Sequence, residues 1–264
     1  MVSATLVFGL KPRRAGAAPP SDHDLQLWLQ GAVDAPLGER GLYLSADTHL
    51  RRDGGPLERA RPDGENPGAP TPYTELILRP ILGFQLPEGF AVGAGYAYYG
   101  VYHDDPSQRD RLSLHEHRAF TQGTLNRPLP WQLAMSARLR LEHRVRSSGP
   151  GSAPAGDAGA DGLDERDPAR FAHRLRVFYR LDKTLSEERG LRLVAFSETF
   201  FHLNASAMTQ KAGFNQQRSF LGISAETRGR ARFEIGYLNQ FIMRNLDPNT
   251  INHIVFTSVF IRID

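Results

Sequence analysis

Arginine and carboxylate side chains recur in this sequence at every second position. In the run from Trp131 to Arg146, Ser136, Arg138, Arg140, Glu142 and Arg144 alternate with Leu133, Met135, Ala137, Leu139 and Leu141. A period of two puts each set on its own face of an extended strand, whereas about 3.6 residues per helical turn would scatter both sets. The same alternation carries Glu116 and Arg118, then Arg174, Arg176 and Arg180, then Glu198, then Arg218 and Glu226, then Arg232 and Glu234. Tyr43, Ser45, Asp47, His49, Glu75, Arg79, Gln122, Arg192, Ser224 and Gln240 continue the same polar face. Lysine is nearly missing from it. A solvated surface mixes lysine freely, while a planar guanidinium that grips a carboxylate suits a confined, partly desolvated space. These residues therefore point to a charge network lining an interior.

Catalysis needs a nucleophile, a base and an orienting group within reach of one another. His143 and His173 fall on the apolar face of neighbouring strands with no serine standing out beside them, so they read as interfacial histidines that meet lipid headgroups. His253, in N-H-I, lies near a strand start and its partner is not legible. His115 and His117 share one strand face, opposite Glu116, a spacing that could hold a metal but more commonly marks exposed or interfacial histidines. Asn215, Gln216, Gln217, Asn239 and Gln240 could line a sugar path, although hydrogen bonding inside a lumen explains them as well. No catalytic set, metal site or cofactor is expected.

The elements that position these residues are strands. They are expected at Leu25 to Val33, Leu42 to Arg51, Tyr73 to Leu86, Phe90 to Val101, Arg111 to Gln122, Trp131 to Arg146, Arg170 to Leu181, Leu191 to Leu203, Gln216 to Thr227, Ala231 to Met243 and Asn252 to Ile263. Most exceed the usual length of about five or six residues and suit a tilted strand that crosses a bilayer. Their connections alternate. Those at Ala35 to Arg40, Pro87 to Gly89, Gly123 to Pro130, Thr184 to Gly190 and Arg228 to Arg230 are short. Those at Arg52 to Pro72, Tyr102 to Asp110, Ser147 to Ala169, Asn204 to Asn215 and Arg244 to Ile251 are long or polar. In an up-and-down meander this gives one tight end and one shaggy end, the asymmetry of outer-membrane barrels. The two longest loops are rich in Gly, Pro, Ala and Asp and are expected to be mobile.

Composition narrows the classes. The chain has 264 residues, 40% hydrophobic and 23% charged, a net charge of +3 and no cysteine. Arginine is spread over nearly every strand with carboxylates nearby, which argues against a nucleic-acid partner. Without cysteine there is no disulfide, thiolate metal site or thiol nucleophile. No run approaches the about 18 apolar residues of a membrane helix, which leaves the barrel as the route across a bilayer. Leu42, Leu44, Leu50, Leu76, Leu78, Leu82, Phe84, Phe233, Ile235, Tyr237, Val255, Val259 and Ile261 supply the face opposite the arginines. Trp28, Trp131, Tyr98, Tyr99, Phe201 and Phe241 sit near strand ends, where aromatic girdles form. Strand length, loop asymmetry and arginine usage turn the apolar face outward. Residues 1–21 read as a leader or N-terminal segment: Val2 to Leu10 and Ala15-Gly16-Ala17 resemble part of a signal peptide, interrupted by Lys11, Arg13 and Arg14.

The ordered pieces D-L-Q-L-W-L at Trp28, H-E-H-R at Glu116, R-L-R-L-E-H-R ending at Arg144, H-R-L-R-V-F-Y-R ending at Arg180, S-E-T-F-F at Glu198, F-N-Q-Q-R ending at Arg218, E-I-G-Y-L-N-Q from Glu234 and N-H-I at His253 cover residues 22–264. Together they resemble the uncharacterised bacterial family known as domain of unknown function 2490. The resemblance implies an outer-membrane barrel of a Gram-negative bacterium, with no established activity and no catalytic residues to carry over. The chain ends in Asp264 where outer-membrane chains usually end in an aromatic residue.

The expectation is an all-β protein: residues 22–264 form a single up-and-down antiparallel transmembrane β-barrel of about 12 strands, range 10 to 14. Eleven strands are legible, and the remainder would come from residues 1–20 as a weak strand or a segment passing through the lumen. Its surroundings would be outer-membrane lipid and lipopolysaccharide, and the outer-membrane assembly machinery would insert it. Three functions stay open: a narrow pore for an unidentified small solute with weak anion preference, a non-conducting structural or interaction barrel with working loops, and an envelope-lipid enzyme. Two registers follow from the pattern. A three-residue loop sets Thr227 opposite Ala231 and Glu226 opposite Arg232, with a left-handed residue at or beside Gly229. His143 level with His173 sets Glu142 opposite Arg174 and Leu141 opposite Leu175.

Overall fold

The structure is a computed structural model and describes residues 21–38, 40–56, 73–104, 114–148, 171–206, 208–209, 211–227, 230–244 and 249–263. Eleven strands follow one another: β1 (Ser21–Pro36), β2 (Leu42–Pro56), β3 (Tyr73–Gln85), β4 (Phe90–His103), β5 (Leu114–Leu129), β6 (Leu133–Ser148), β7 (Phe171–Ser186), β8 (Leu191–His202), β9 (Gly213–Thr227), β10 (Ala231–Ile242) and β11 (Asn249–Arg262). Each pairs antiparallel with the next, and β1 pairs with β11 to close the barrel. An odd number of strands in a meander leaves the first and last running the same way. The closing pair is accordingly parallel, from Ser21 opposite Asn249 to Asp34 opposite Arg262. The strand number lies inside the expected range, and whatever residues 1–20 add lies outside the described residues.

Register sets the bore. Following direct partners from Leu114 of β5 through Val101, Glu75, Arg51, Trp28, Phe256, Gly236, Gly222, Val194, Asp182 and Ala134 returns to β5 at Pro128. That stagger of about 14 residues over this strand number corresponds to a tilt of about 40° and a backbone radius of about 11 Å. Such a bore is wider than side chains of an eight-stranded barrel fill, and narrower than a porin channel.

Both registers expected from the pattern are present. Thr227 faces Ala231 and Glu226 faces Arg232. Glu142 faces Arg174, His143 faces His173 and Leu141 faces Leu175. Gly229 lies outside the described residues, as do most of the two longest loops.

One connection differs from expectation. Strand β5 runs on to Leu129, so most of residues 123–130 are strand, and Pro130, Trp131 and Gln132 form the turn into β6. Trp131 is therefore a turn residue with φ of 60° and is 81% exposed, and β6 starts two residues later. The alternating pattern is blind to this, because Trp131 keeps the parity of Leu133 whether or not the backbone pairs there.

Polarity is inverted relative to a soluble barrel. The outward side chains include Leu25, Leu27, Leu44, Leu50, Leu78, Leu82, Leu139, Leu221, Ile223, Ile235 and Val255, all exposed. The inward side chains include Arg51, Arg79, Glu116, Arg140, Glu142, Arg176, Glu198 and Glu234, all buried.

Candidate functional site

Among the described residues, the interior is where charged groups gather out of solvent. Glu116 on β5 accepts hydrogen bonds from Arg118 Nε at 2.6 Å and from Arg144 on β6, whose Nε and Nη2 lie at 2.5 and 2.9 Å. Glu142 on β6 accepts from Arg174 Nε at 2.8 Å and from Arg176 Nη1 at 2.6 Å, both on β7. Glu198 on β8 accepts from Arg176 Nη2 at 2.7 Å and from Arg138 Nη2 at 3.0 Å, with Arg218 at 3.7 Å. Arg176 thus ties two carboxylates together. Parity explains the convergence: each strand puts every second side chain inward, and antiparallel partners in register stack those side chains level with one another.

The network continues around the wall. Arg51 on β2 donates to Glu75 on β3 at 3.0 Å, and Tyr99 on β4 donates to the same carboxylate at 2.8 Å. Arg79 holds Asp47 through two bonds at 2.8 and 2.7 Å. Towards the short-turn end Arg180 on β7 reaches across to Glu234 on β10 and also grips Asp182, at 2.8 Å from Nε. Arg232 lies 3.1 Å from Glu234. Glu226 faces Arg232 in register, yet its ion pair is with Arg192 at 2.7 Å. Every residue expected in the charge network is inward, and each makes one of these contacts except Arg140, whose guanidinium bonds only the Gln122 amide oxygen, at 3.0 Å from Nε. Its nearest carboxylate, Glu142, is 3.9 Å away.

Aromatic rings share this interior, and the sequence reading missed them. Trp28 and Tyr99, expected in an outer girdle, point inward. Trp28 is 3% exposed and lies between Arg51 and Arg218, their guanidinium carbons 4.0 and 4.9 Å from its ring centre. Arg118 covers Tyr99 at 4.6 Å. Phe200 carries Arg174, Arg176 and Arg218, Phe120 carries Arg140, and Phe178 carries Arg138. Trp28, Val194, Phe220, Leu238, Ile254 and Phe256 form an apolar inner wall on β1 and β8 to β11. Inward-facing Gly222 and Gly236 make room for it, because a methyl group on either would collide with the Phe220 ring. The available signal was parity: Trp28 shares a face with Gln26 and Gln30, not with Leu27 and Leu29.

Between the charged and apolar walls lies a cavity of about 620 Å³. Its lining runs from Arg146, His202 and Met208 near the long-loop rim to Asn126, Ser136 and Phe260 near the short-turn rim.

The candidate histidines face outward. His143 and His173 hydrogen-bond each other through Nδ1 atoms 2.8 Å apart. His115 and His117 bond to the hydroxyls of Tyr98 and Tyr96 at 2.6 and 2.5 Å. His253 meets Tyr237 at 2.7 Å and His23 at 3.0 Å, which supplies the partner the sequence left open. All lie towards the long-loop end, forming a histidine and tyrosine belt on the outer wall. No three His, Asp or Glu side chains among the described residues come together as a metal-holding group. Gln216 and Gln240 are buried inward, and Gln217 is outward and bonded to Thr199 and Ser197.

Residues 25–251 match the model of a protein family of unknown function, DUF2490. An uncharacterized protein of Methylorubrum extorquens is 25% identical over 269 residues, covering 99% of this chain and 97% of that protein. Among solved structures, the β domain of the Bordetella autotransporter BrkA aligns over 82% of each chain with a TM-score of 0.44 and 11% identity.

Proposed function

This chain belongs to the DUF2490 family of proteins of unknown function, and we propose that it is a Gram-negative outer-membrane β-barrel whose waist is held shut. On this reading it works through its loops and its lumenal cavity and is neither an open pore nor an enzyme. It needs no cofactor or metal and has no nucleic-acid partner. Lipid and lipopolysaccharide surround it, and the outer-membrane assembly machinery inserts it. The membrane location rests on the outer wall. A continuous apolar face on nearly every strand far exceeds the few hundred Å² that soluble monomers expose, and a histidine and tyrosine belt at one end suits lipid headgroups.

One observation carries the closed waist: Arg176 bridges Glu142 and Glu198 while Arg174, Arg138 and Arg218 close on the same two carboxylates. At a radius of about 11 Å, long side chains locked in this way leave little cross-section for a hydrated solute. A narrow anion-preferring pore is the second reading, favoured because arginines outnumber carboxylates at the waist and the cavity lining reaches both rims, which would lower the barrier to anions.

Membrane fractionation with heat-modifiable gel mobility tests the location, and planar-bilayer recording in a salt gradient tests the waist. The closed barrel gives no stepwise current. A steady anion-selective current establishes the pore, and a cation-selective current removes both readings. Altered envelope lipids in a deletion strain, read by mass spectrometry, would return the enzyme to contention.

A further inference from the structure

Arg140 is 1% exposed, and its Nη1 has no hydrogen-bond partner. Next to it on the same strand face, Arg138 spends one nitrogen on Glu198 while its Nε stays unpartnered. Glu198 is already shared with Arg176 and Arg218. Arg79 on β3, whose charge is felt by both Arg138 and Arg140, is matched by a single carboxylate, Asp47. A guanidinium out of water and short of counter-charge is costly, and the usual remedies are a carboxylate or a bound anion. Among the described residues no carboxylate bonds the free Nε of Arg138, but there is space beside it. The cavity is lined by Arg79, Arg138, Arg176 and Arg218. Phe178, Phe196 and Phe256 share that lining, with ring centres 5.5 Å apart for the first pair and 6.1 Å for the second. Its volume of about 620 Å³ falls in the range of small-molecule pockets, about 300 to 1,000 Å³.

A purely inorganic anion would need only the charged wall. The rings beside the arginines add an apolar part to the pocket, and Arg138 joins the two because its guanidinium stacks on Phe178, its direct strand partner, at 4.7 Å. We propose that the lumenal cavity binds a small organic anion, a carboxylate on a compact apolar body, with its head on Arg138 and Arg79 and its body against Phe178, Phe196 and Phe256. Arg138 has 22% of its side chain exposed and Arg176 only 6%. The ligand therefore enters from the short-turn rim, past Asn126 and Ser136, and stops at the waist. The inference rests on the closed-waist reading only in making the cavity a dead end.

The chain carries its own reporter. Of its two tryptophans, Trp28 lines the cavity and Trp131 is exposed on a turn, so Trp131→Phe leaves a single lumenal fluorophore. The full chain with that substitution, folded in neutral detergent, is titrated with cyclohexanecarboxylate at constant ionic strength. Cyclohexylmethanol, acetate and inorganic phosphate serve as comparison probes. The expected result is a saturable change in Trp28 emission for cyclohexanecarboxylate, with affinity at least about tenfold above the other three. Arg138→Gln should weaken it at least about tenfold while heat-modifiable mobility stays unchanged. Phe196→Leu, which alters the apolar wall without touching charge, should weaken it too. Equal binding of cyclohexylmethanol would mean an apolar pocket only, and equal binding of acetate or phosphate an inorganic-anion site only. Either outcome, or no saturable response, overturns the proposal. Conductance recorded on the same preparation separates the two readings: a conducting barrel that still binds saturably refutes only the closed waist.

Discussion

Replacing Arg176 by methionine tests how the interior holds the barrel together. Arg176 donates three hydrogen bonds, to Glu142 at 2.6 Å and to Glu198 at 2.7 and 3.1 Å, and is 5% exposed. Taken one by one, charge-assisted bonds of about 1.5 to 3 kcal/mol each would sum well beyond what a single substitution costs. The surviving partners limit the loss. Glu142 keeps Arg174 on one oxygen, and Glu198 keeps Arg138 with Arg218 nearby. What remains uncompensated is Glu142 Oε1, whose next cation is Arg140 at 3.9 Å. Removing one partner of a buried pair costs about 3 to 5 kcal/mol, and this geometry points to about 4 kcal/mol. Arg138→Gln removes one bond at 3.0 Å from a carboxylate that retains Arg176, so it should cost about 1 kcal/mol. Urea unfolding in detergent, followed by tryptophan emission, measures both through the shift in midpoint. If Arg176→Met costs no more than Arg138→Gln, the bridging role assigned to Arg176 is wrong.

The two tryptophans should behave oppositely. Trp28→Ala removes a buried ring stacked by two arginines and should cost about 3 to 5 kcal/mol, whereas Trp131→Ala at an exposed turn should stay within about 0.5 kcal/mol; equal costs in the same unfolding assay would contradict the inward placement of Trp28. Gly222→Ala drives a methyl into the Phe220 ring and the β10 backbone and should destabilise by about 1 to 3 kcal/mol; a neutral result would show that the inner wall is looser than described. Because the chain has no cysteine, Leu141→Cys with Leu175→Cys, direct partners across β6 and β7, should crosslink under oxidation, seen as a mobility shift on non-reducing gels. Crosslinking by Leu141→Cys with Val177→Cys and not by the direct pair would reject the register.

Strand existence and the division of each strand into two faces are readable from parity, which one sequence displays without help; which face is inside rests on strand length, loop asymmetry and arginine usage, and the β6–β7 register rests on His143 lying level with His173. Thr227 opposite Ala231 followed from keeping Glu226 and Arg232 on one face, and that is the observed pairing. Pairing partners inside the lumen were not readable in the same way. Glu226 meets Arg192 from the neighbouring strand instead of Arg232, and Arg180 on β7 reaches Glu234 on β10. Such contacts depend on tilt and bore, which emerge only when the stagger of all eleven strands is closed around the circle. The aromatic misplacement has a different cause. Nearness to strand ends, a membrane-girdle rule, places both Trp28 and Tyr99 outside, although Trp28 occupies the parity of Gln26 and Gln30; Tyr99, between Ala97 and Val101, carries no such polar signal. Where the two signals conflict, parity is the stronger, since a one-residue slip would expose every other side chain on the strand to the wrong medium.

Those inward rings bear on how a net-positive interior can exist at all. At the waist Glu116, Glu142 and Glu198 are shared by Arg118, Arg138, Arg144, Arg174, Arg176 and Arg218, and like charges in so small a volume repel strongly when water is scarce. Aromatic faces take up part of the deficit, because a ring quadrupole attracts a guanidinium by about 0.5 to 2 kcal/mol as solvent is withdrawn. Phe200 lies beneath three of those arginines, Trp28 lies between Arg218 and Arg51, and Phe120 lies under Arg140, whose nearest carboxylate, Glu142, is 3.9 Å away. Lysine could not replace arginine here: a compact, strongly hydrated ammonium neither stacks flat on a ring nor bridges two carboxylates with a planar fork. The near absence of lysine and the inward aromatics are thus one adaptation, an interior built to hold guanidinium with fewer carboxylates than cations.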